Sequence, residues 1–130
     1  MSACVIDTSA VMAFLNDEIG ADQAEQWLDQ GAAISGLCVQ ETMANLVRRD
    51  VDRQSAVEVI EALGLEVHPL DFDLAIDAGD LITSTRSKGL SHGDRACLAL
   101  ARKLRLPAVT ADTAWSSVAE DVEVEVSLIR

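Results

Sequence analysis

Short apolar stretches alternate with longer segments of helical periodicity along the chain. Residues 3–6 form an apolar stretch that stops at Asp7, which predicts a buried first strand. Similar stretches predict strands at 32–34, 65–68 and 107–110, and period-two alternation predicts an edge strand at 122–128. Helices are expected between Asp7 and Leu15, between Gly20 and Gly31, and over 37–49, 53–63, 72–85 and 92–104, with a helical turn or two at 112–118.

This alternation predicts an α/β fold. We expect one domain over residues 1–130, with a parallel sheet of four or five short strands between helical layers. Right-handed crossovers place the strand ends and the helix starts on one rim, where open α/β sheets bind ligands. Asp7 and Asp112 follow two of the predicted strands, so both are expected at that rim.

Composition and charge narrow the class of protein. The chain is 49% hydrophobic and 25% charged, as folded domains are, and no apolar run approaches the ~20 residues of a membrane span. The N-terminus lacks the basic region of a signal peptide, and three widely spaced cysteines predict a reducing, cytoplasmic setting. Twenty-two acids against ten bases give a net charge of −12, which excludes a basic protein that coats nucleic acid.

Four acidic residues stand out by position: Asp7, Glu41, Asp94 and Asp112. Each aspartate also has a purely structural explanation. Asp7 and Asp112 are placed to be helix N-caps, and Ser91 with Asp94 fits a capping box. Glu41 lies at the edge of the apolar face of its helix, where an unpaired carboxylate would be destabilising.

Taken together, the four acids also suggest a metal site. Carboxylates brought to one place repel one another unless a cation lies between them. Ligand sets of oxygen alone suit Mg²⁺ or Mn²⁺ and not zinc. A bound divalent ion can acidify a water molecule and neutralise a phosphate under attack. Position alone leaves open both a metal-dependent phosphoryl-transfer site and a structural role.

Other chemistries find less support in the sequence. There is no GxGxxG or GxxxxGK[ST] motif, and no Ser/His/Asp or Cys/His arrangement can be assembled. The chain has two Phe, two Trp and no Tyr, which argues against an aromatic platform for stacked bases.

Several segments together resemble the PIN-domain ribonucleases, and specifically the VapC-type toxins of bacterial toxin–antitoxin pairs. The segments occur in family order and span nearly the whole chain: VIDTSA at 5–10, Ile34 and Ser35 leading to Glu41, TRSKGLSHGDRACLALA at 85–101, LPAVTADTAW at 106–115, and LIR at 128–130. The combination of GDRACLALA with TADTAW is the most specific part. The resemblance implies an endoribonuclease that depends on Mg²⁺ or Mn²⁺, is usually a homodimer, and is inhibited by a cognate VapB-type antitoxin.

The resemblance also implies roles for individual residues. Asp7, Asp94 and Asp112 would hold the metal, and Glu41 would hold or activate the attacking water. Three hydroxyl residues would support these carboxylates through hydrogen bonds: Thr8, Ser9 and Thr110.

A basic stretch at 86–105 contains six Lys or Arg residues and one acid, Asp94. A solvated helix face is the ordinary explanation of such a stretch. With the resemblance in place, Arg86 and Arg95 are expected to flank the acidic pocket and contact RNA phosphates. The charge of −12 motivates a further hypothesis, that a basic antitoxin segment inserts Arg or Lys into the carboxylate pocket.

Two alternatives remain. A phosphatase-like Mg²⁺-dependent α/β domain would need a D-x-D pair after the first strand, but Thr8 and Ser9 follow Asp7 here. A catalytically silent PIN module would act only by binding a partner, and the four intact acids argue against it.

Overall fold

The computed structural model describes all residues, 1–130. Its strands are β1 (Cys4–Ile6), β2 (Ala32–Ser35), β3 (Glu66–His68), β4 (Ala108–Thr110) and β5 (Val126–Leu128). Its helices are α1 (Thr8–Leu15), α2 (Ala21–Gln30), α3 (Gly36–Arg48), α4 (Arg53–Ala62), α5 (Phe72–Asp80), α6 (Ile82–Thr85) and α7 (His92–Leu104). A 3₁₀ helix covers Thr113–Ser117.

The five strands form one parallel sheet in the order β3-β2-β1-β4-β5. The expected α/β class and parallel sheet are confirmed. From β1 the chain builds the sheet towards β2 and β3, and it later returns to the other side of β1 to form β4 and β5. The carboxyl ends of β1 and β4 therefore flank a topological switch point, which is where open α/β sheets form their binding crevice.

The centre of the sheet is the most buried part of the molecule. Every residue of β1, β2 and β4 is buried, because helices cover both faces of a parallel sheet. Helix α7 packs against these three strands and also against α3 and α5. None of the helices is both long and apolar enough to cross a membrane.

Two predicted elements differ from the structure. The helix expected over 72–85 is divided into α5 and α6. At Leu81 the backbone N–H bonds to the Ala78 carbonyl oxygen, three residues back, so the α-helical pattern of bonds to the fourth residue back is interrupted there. The edge strand expected over 122–128 begins only at Val126. Glu123 has a φ of 59°, which is incompatible with extended backbone and ends a turn there.

Candidate functional site

Asp7 is the first residue after β1 and the N-cap of α1. It is almost completely buried, with 2% of the residue exposed. Its Oδ1 accepts hydrogen bonds from the Ala10 backbone N–H at 3.1 Å and from the Ser9 hydroxyl at 2.7 Å. Asp7 therefore does cap a helix, and the same contacts fix its carboxylate at the end of the central strand.

Thr110 is the last residue of β4, and its hydroxyl group joins β4 to β1. It donates to Oδ2 of Asp7 at 3.0 Å and accepts from the Asp112 backbone N–H at 3.0 Å. The Ser9 Oγ lies 3.2 Å from the Thr110 hydroxyl and accepts from the Ala111 N–H at 2.9 Å. The hydrogen bonds expected of Ser9 and Thr110 are thus present, and they hold both oxygens of Asp7.

Glu41 projects from the second turn of α3 towards the start of α7. The Thr8 hydroxyl donates to its Oε1 at 2.8 Å. On the other side the carboxylate lies against Gly93, where a Cβ atom would overlap it. Glycine in the first turn of α7 therefore leaves the space that the Glu41 side chain occupies.

Asp94 and Asp112 each cap a helix with one oxygen. Asp94 Oδ2 accepts from the Ser91 backbone N–H at 2.8 Å, while the Ser91 hydroxyl accepts from the Asp94 N–H at 3.2 Å, so the expected capping box is complete. Asp112 Oδ1 accepts from the Ala114 N–H at 2.9 Å. Asp94 Oδ1 and Asp112 Oδ2 make no hydrogen bond within the chain. Capping therefore leaves one carboxylate oxygen of each residue available.

All four predicted acids line one cavity of about 320 Å³ at the switch point. The cavity wall also contains several residues that sequence reasoning did not single out: Glu18, Asn45, Arg49 and Arg130. The Arg130 guanidinium is already hydrogen-bonded within the chain, since it donates to Glu18 Oε1 at 3.3 Å and to the Ile19 carbonyl oxygen at 2.9 Å. Glu41, Asn45 and Arg49 are spaced four residues apart, which places them on one face of a helix. This spacing could have predicted that Asn45 and Arg49 lie beside Glu41. Arg130 belongs to the segment LIR at 128–130 that contributed to the family resemblance, but no pattern in the sequence assigned it a place in the site.

The cavity is electrostatically unfavourable for its own carboxylates. Burial raises the pKa of Asp7 from 3.8 to about 6, against the lowering effect of its hydrogen bonds and with a further raising effect from Asp94. The pKa of Asp94 is also raised, first by burial and then by the negative charges of Asp112 and Glu41. Both shifts mean that the site favours added positive charge, from protons or from a cation.

The residues of the cavity fit a hard divalent cation by donor type, since the available oxygens are carboxylate and hydroxyl. No three His, Cys, Asp or Glu side chains of the chain converge closely enough to chelate one ion in this structure. Chelation would therefore need side-chain movements of Asp94, Asp112 or Glu41.

The structure does not place Arg95 at this cavity. Arg95 is 8% exposed, and its Nε donates to the Thr85 hydroxyl at 2.8 Å. It lines a separate groove of about 350 Å³ together with His92 and apolar residues of α5. The expectation that Arg95 flanks the acidic pocket is therefore wrong. Successive residues of a helix point about 100° apart, so Arg95 faces away from the site that Asp94 faces.

Arg86 is exposed and lines neither cavity, so its contact with RNA stays a prediction.

The family comparison identifies the fold independently of this geometry. The model of the PIN domain matches residues 4–121. The chain belongs to the PIN domain family. The comparison with curated proteins gave no match.

Solved structures of toxin–antitoxin proteins share this PIN fold. The chain is similar to a toxin–antitoxin complex from Klebsiella pneumoniae, with a TM-score of 0.75, 20% identity and 98% of both chains covered. It is similar to DNA-bound VapBC from Salmonella typhimurium, with a TM-score of 0.74, 17% identity and 100% of both chains covered. Similarity to VapC20 from Mycobacterium tuberculosis, a Sarcin-Ricin loop cleaving toxin, has a TM-score of 0.70 at 21% identity, covering 88% of this chain and 93% of that one.

Proposed function

We propose that this PIN domain is an endoribonuclease that depends on Mg²⁺ or Mn²⁺ and acts as the toxin of a type II toxin–antitoxin pair. One observation carries the proposal: four carboxylates from four separate elements line a single cavity at the switch point of the sheet. Membership of the PIN family and the fold shared with VapC20, a Sarcin-Ricin loop cleaving toxin, support it.

Asp7, Asp94 and Asp112 are the residues that would hold the cation. When bound, the cation supplies an acidified water molecule and neutralises charge on the phosphate under attack. Glu41 is the remaining acid of the cavity, and it would orient this water and accept its proton. Thr8 fixes the Glu41 carboxylate through a 2.8 Å hydrogen bond, so the base is positioned before substrate arrives.

The cavity also suggests how an antitoxin would inhibit. The chain carries a net charge of −12, and the pKa shifts of Asp7 and Asp94 favour positive charge in the cavity. A basic segment of a VapB-type antitoxin could place Arg or Lys among these carboxylates. Similar structures were solved as toxin–antitoxin complexes, which supports such a partner. A homodimer and a cytoplasmic location belong to the same proposal.

One observation also supports the alternative function, a PIN domain that binds a partner and has no catalytic activity. Asp7 and Asp112 are helix N-caps and Asp94 belongs to a capping box, which is a sufficient structural reason for these three acids. A silent module would keep the fold and bind its partner, and it would neither bind Mg²⁺ nor cut RNA.

The proposal is tested by incubating the purified protein with RNA and Mg²⁺ or Mn²⁺. We expect cutting that leaves 5′-phosphate and 3′-hydroxyl ends and that stops when EDTA is added. Cyclic 2′,3′-phosphate ends, or cutting that survives EDTA, would contradict a metal-dependent attack by water. A stable aspartyl-phosphate on Asp7 after treatment with a phosphate donor would instead support the phosphatase-like alternative.

A further inference from the structure

The exposed side of α3 forms a continuous polar wall beside the acids. A second cavity of about 340 Å³ adjoins the acidic cavity, and both are lined by Thr8, Glu41 and Asn45. At the far end of this wall, Arg49 lines the acidic cavity and Arg48 lines its neighbour. A rise of 1.5 Å per residue separates Glu41 from Arg49 by only ~12 Å along the helix axis.

Arg48 and Arg49 are available to an external anion. Both are exposed. The chain contains two ion pairs, His68 with Glu66 and Arg130 with Glu18, so neither Arg48 nor Arg49 forms an ion pair. Arg49 lies near Glu18, whose pKa is lowered first by hydrogen bonds from Asn16 and Arg130 and then by the positive charges of Arg130 and Arg49. Arg130, the other cation of the acidic cavity, already contacts Glu18 and a carbonyl oxygen.

We propose that an RNA strand lies along this face of α3, with Arg48 and Arg49 contacting the phosphates next to the one held at the acids. The inference rests on the proposed ribonuclease function and adds the surface along which the RNA strand would bind. Glu41 and Asn45 separate the two cavities, so a strand that follows α3 passes from the acids to the arginines without leaving the polar wall. The two guanidinium groups offset the charge of the acids, which would otherwise repel an RNA backbone.

Arg48 and Arg49 also have a structural explanation that does not involve RNA. Arg48 is in the last turn of α3 and Arg49 is its C-cap, where cations stabilise the partial negative charge of a helix end. That role would appear in thermal stability and would not depend on RNA.

The test measures kcat and KM for a fluorescent single-stranded RNA of mixed sequence over a range of KCl concentrations. Arg48→Ala and Arg49→Ala should each raise KM about fivefold with kcat little changed, since phosphate contacts away from the reacting bond bind substrate and transition state alike. The slope of log(kcat/KM) against log[KCl] should become shallower by about 0.7 per arginine removed. Arg49→Lys should retain most of the slope, because a lysine still contacts phosphate as a point charge.

Arg53→Ala is the matched control. Arg53 begins α4, is exposed and lines a different cavity, so this variant should keep the KM and salt slope of the parent. The inference is overturned if Arg48→Ala and Arg49→Ala keep the parent slope, or if Arg53→Ala loses as much. Loss of melting temperature with an unchanged slope would also overturn it, in favour of the helix-end role. Failure of the parent protein to cut any RNA would instead count against the proposed function.

Discussion

Two cavities of similar size meet at the start of α7, and their chemistry is opposite. The acidic cavity, about 320 Å³, has a single hydrophobic residue in its wall, Met12. The groove beside α5, about 350 Å³, is mostly apolar and contains Arg95 as its charged group. Asp94 lines the first cavity and Arg95 lines the second, although they are consecutive residues.

The difference shows how one helix can serve two surfaces. A turn of about 100° per residue sends successive side chains of α7 to different neighbours. Asp94 faces the acids that follow β1 and β4. Arg95 instead donates a hydrogen bond to the hydroxyl of Thr85, the last residue of α6. The carboxylates that would hold a cation therefore lie in the acidic cavity, and the groove contains none of them.

The largest expected effect is on RNA cleavage, which a substitution in the acidic cavity should reduce and a substitution in the groove should leave nearly unchanged. Asp94→Asn keeps an oxygen that can cap α7 but removes a charge from the acidic cavity, so RNA cutting should fall by at least about a hundredfold. Arg95→Met alters only the groove and should retain cutting within about threefold. Steady-state cleavage assays with Mg²⁺ check both variants. Equal losses in the two would contradict the division of roles.

The stability of the metal-free protein tests the crowding of the acids. Because the folded pKa of Asp7 is raised from 3.8 to about 6, the native state holds more protons than the unfolded chain in that interval, and stability falls as pH rises through it. Asp7→Asn should therefore unfold at higher denaturant than the parent at pH 7, by about 2–3 kcal/mol.

This gain from Asp7→Asn should shrink to a small fraction by about pH 4, where the carboxyl group is protonated in the folded state and partly protonated in the unfolded chain. Urea titrations at pH 7 and pH 4 in EDTA provide the measurement. A parent protein that is the more stable of the two at pH 7 would mean that the charged cap outweighs the crowding.

Most of the fold followed from local patterns in the sequence. The apolar stretch before Asp7 and the alternation of strands with helices were enough to predict the parallel sheet, because strands buried on both faces are short and continuously apolar. The break between α5 and α6 was not visible, since it lies in the backbone at Leu81, where the N–H bonds to the Ala78 carbonyl oxygen and no proline marks the position. The late start of β5 was missed because the alternation of 122–128 gives no sign of the positive φ at Glu123.

The candidate site was predictable where residues follow strands, and less so elsewhere. Asp7 and Asp112 could be placed because the ends of parallel strands share one rim. Arg95 was misplaced because closeness in sequence to Asp94 was taken as closeness in space. Arg49 was passed over because its position depends on how α3 crosses the sheet, which the sequence alone does not specify.

A smaller effect is expected from the contact between Gly93 and Glu41. A methyl group at Gly93 would overlap the Glu41 carboxylate, so Gly93→Ala should displace this side chain and reduce kcat about tenfold. Gly79→Ala is the matched control, because a Cβ there meets nothing within 4 Å. It should leave kcat unchanged and add about 0.5–1 kcal/mol to the free energy of unfolding.

A double variant decides whether Gly93 acts through Glu41. In a background of Glu41→Ala, Gly93→Ala should cause no further loss of kcat, because the displaced group is gone. Additive losses would show that the glycine matters for another reason, such as the geometry of the capping box.

The smallest effect concerns Arg95 and RNA. Arg95 is 8% exposed and lines the groove beside α5 instead of the acidic cavity, so it is not placed to contact a phosphate held at the acids. Arg95→Met should therefore leave the salt dependence of RNA cleavage within error of the parent. A slope reduced by about 0.7 would restore the expectation that Arg95 contacts phosphate.

Calorimetric titration of the metal-free protein with Mn²⁺ tests the central claim most directly, since it needs neither the natural RNA nor the antitoxin. The account predicts saturable binding by the parent protein, strong weakening in Asp94→Asn and Asp112→Asn, and parent-like binding in Arg95→Met. Absence of Mn²⁺ binding by the parent, or equal binding by the aspartate variants, would contradict it and leave the four acids as helix caps and surface charge.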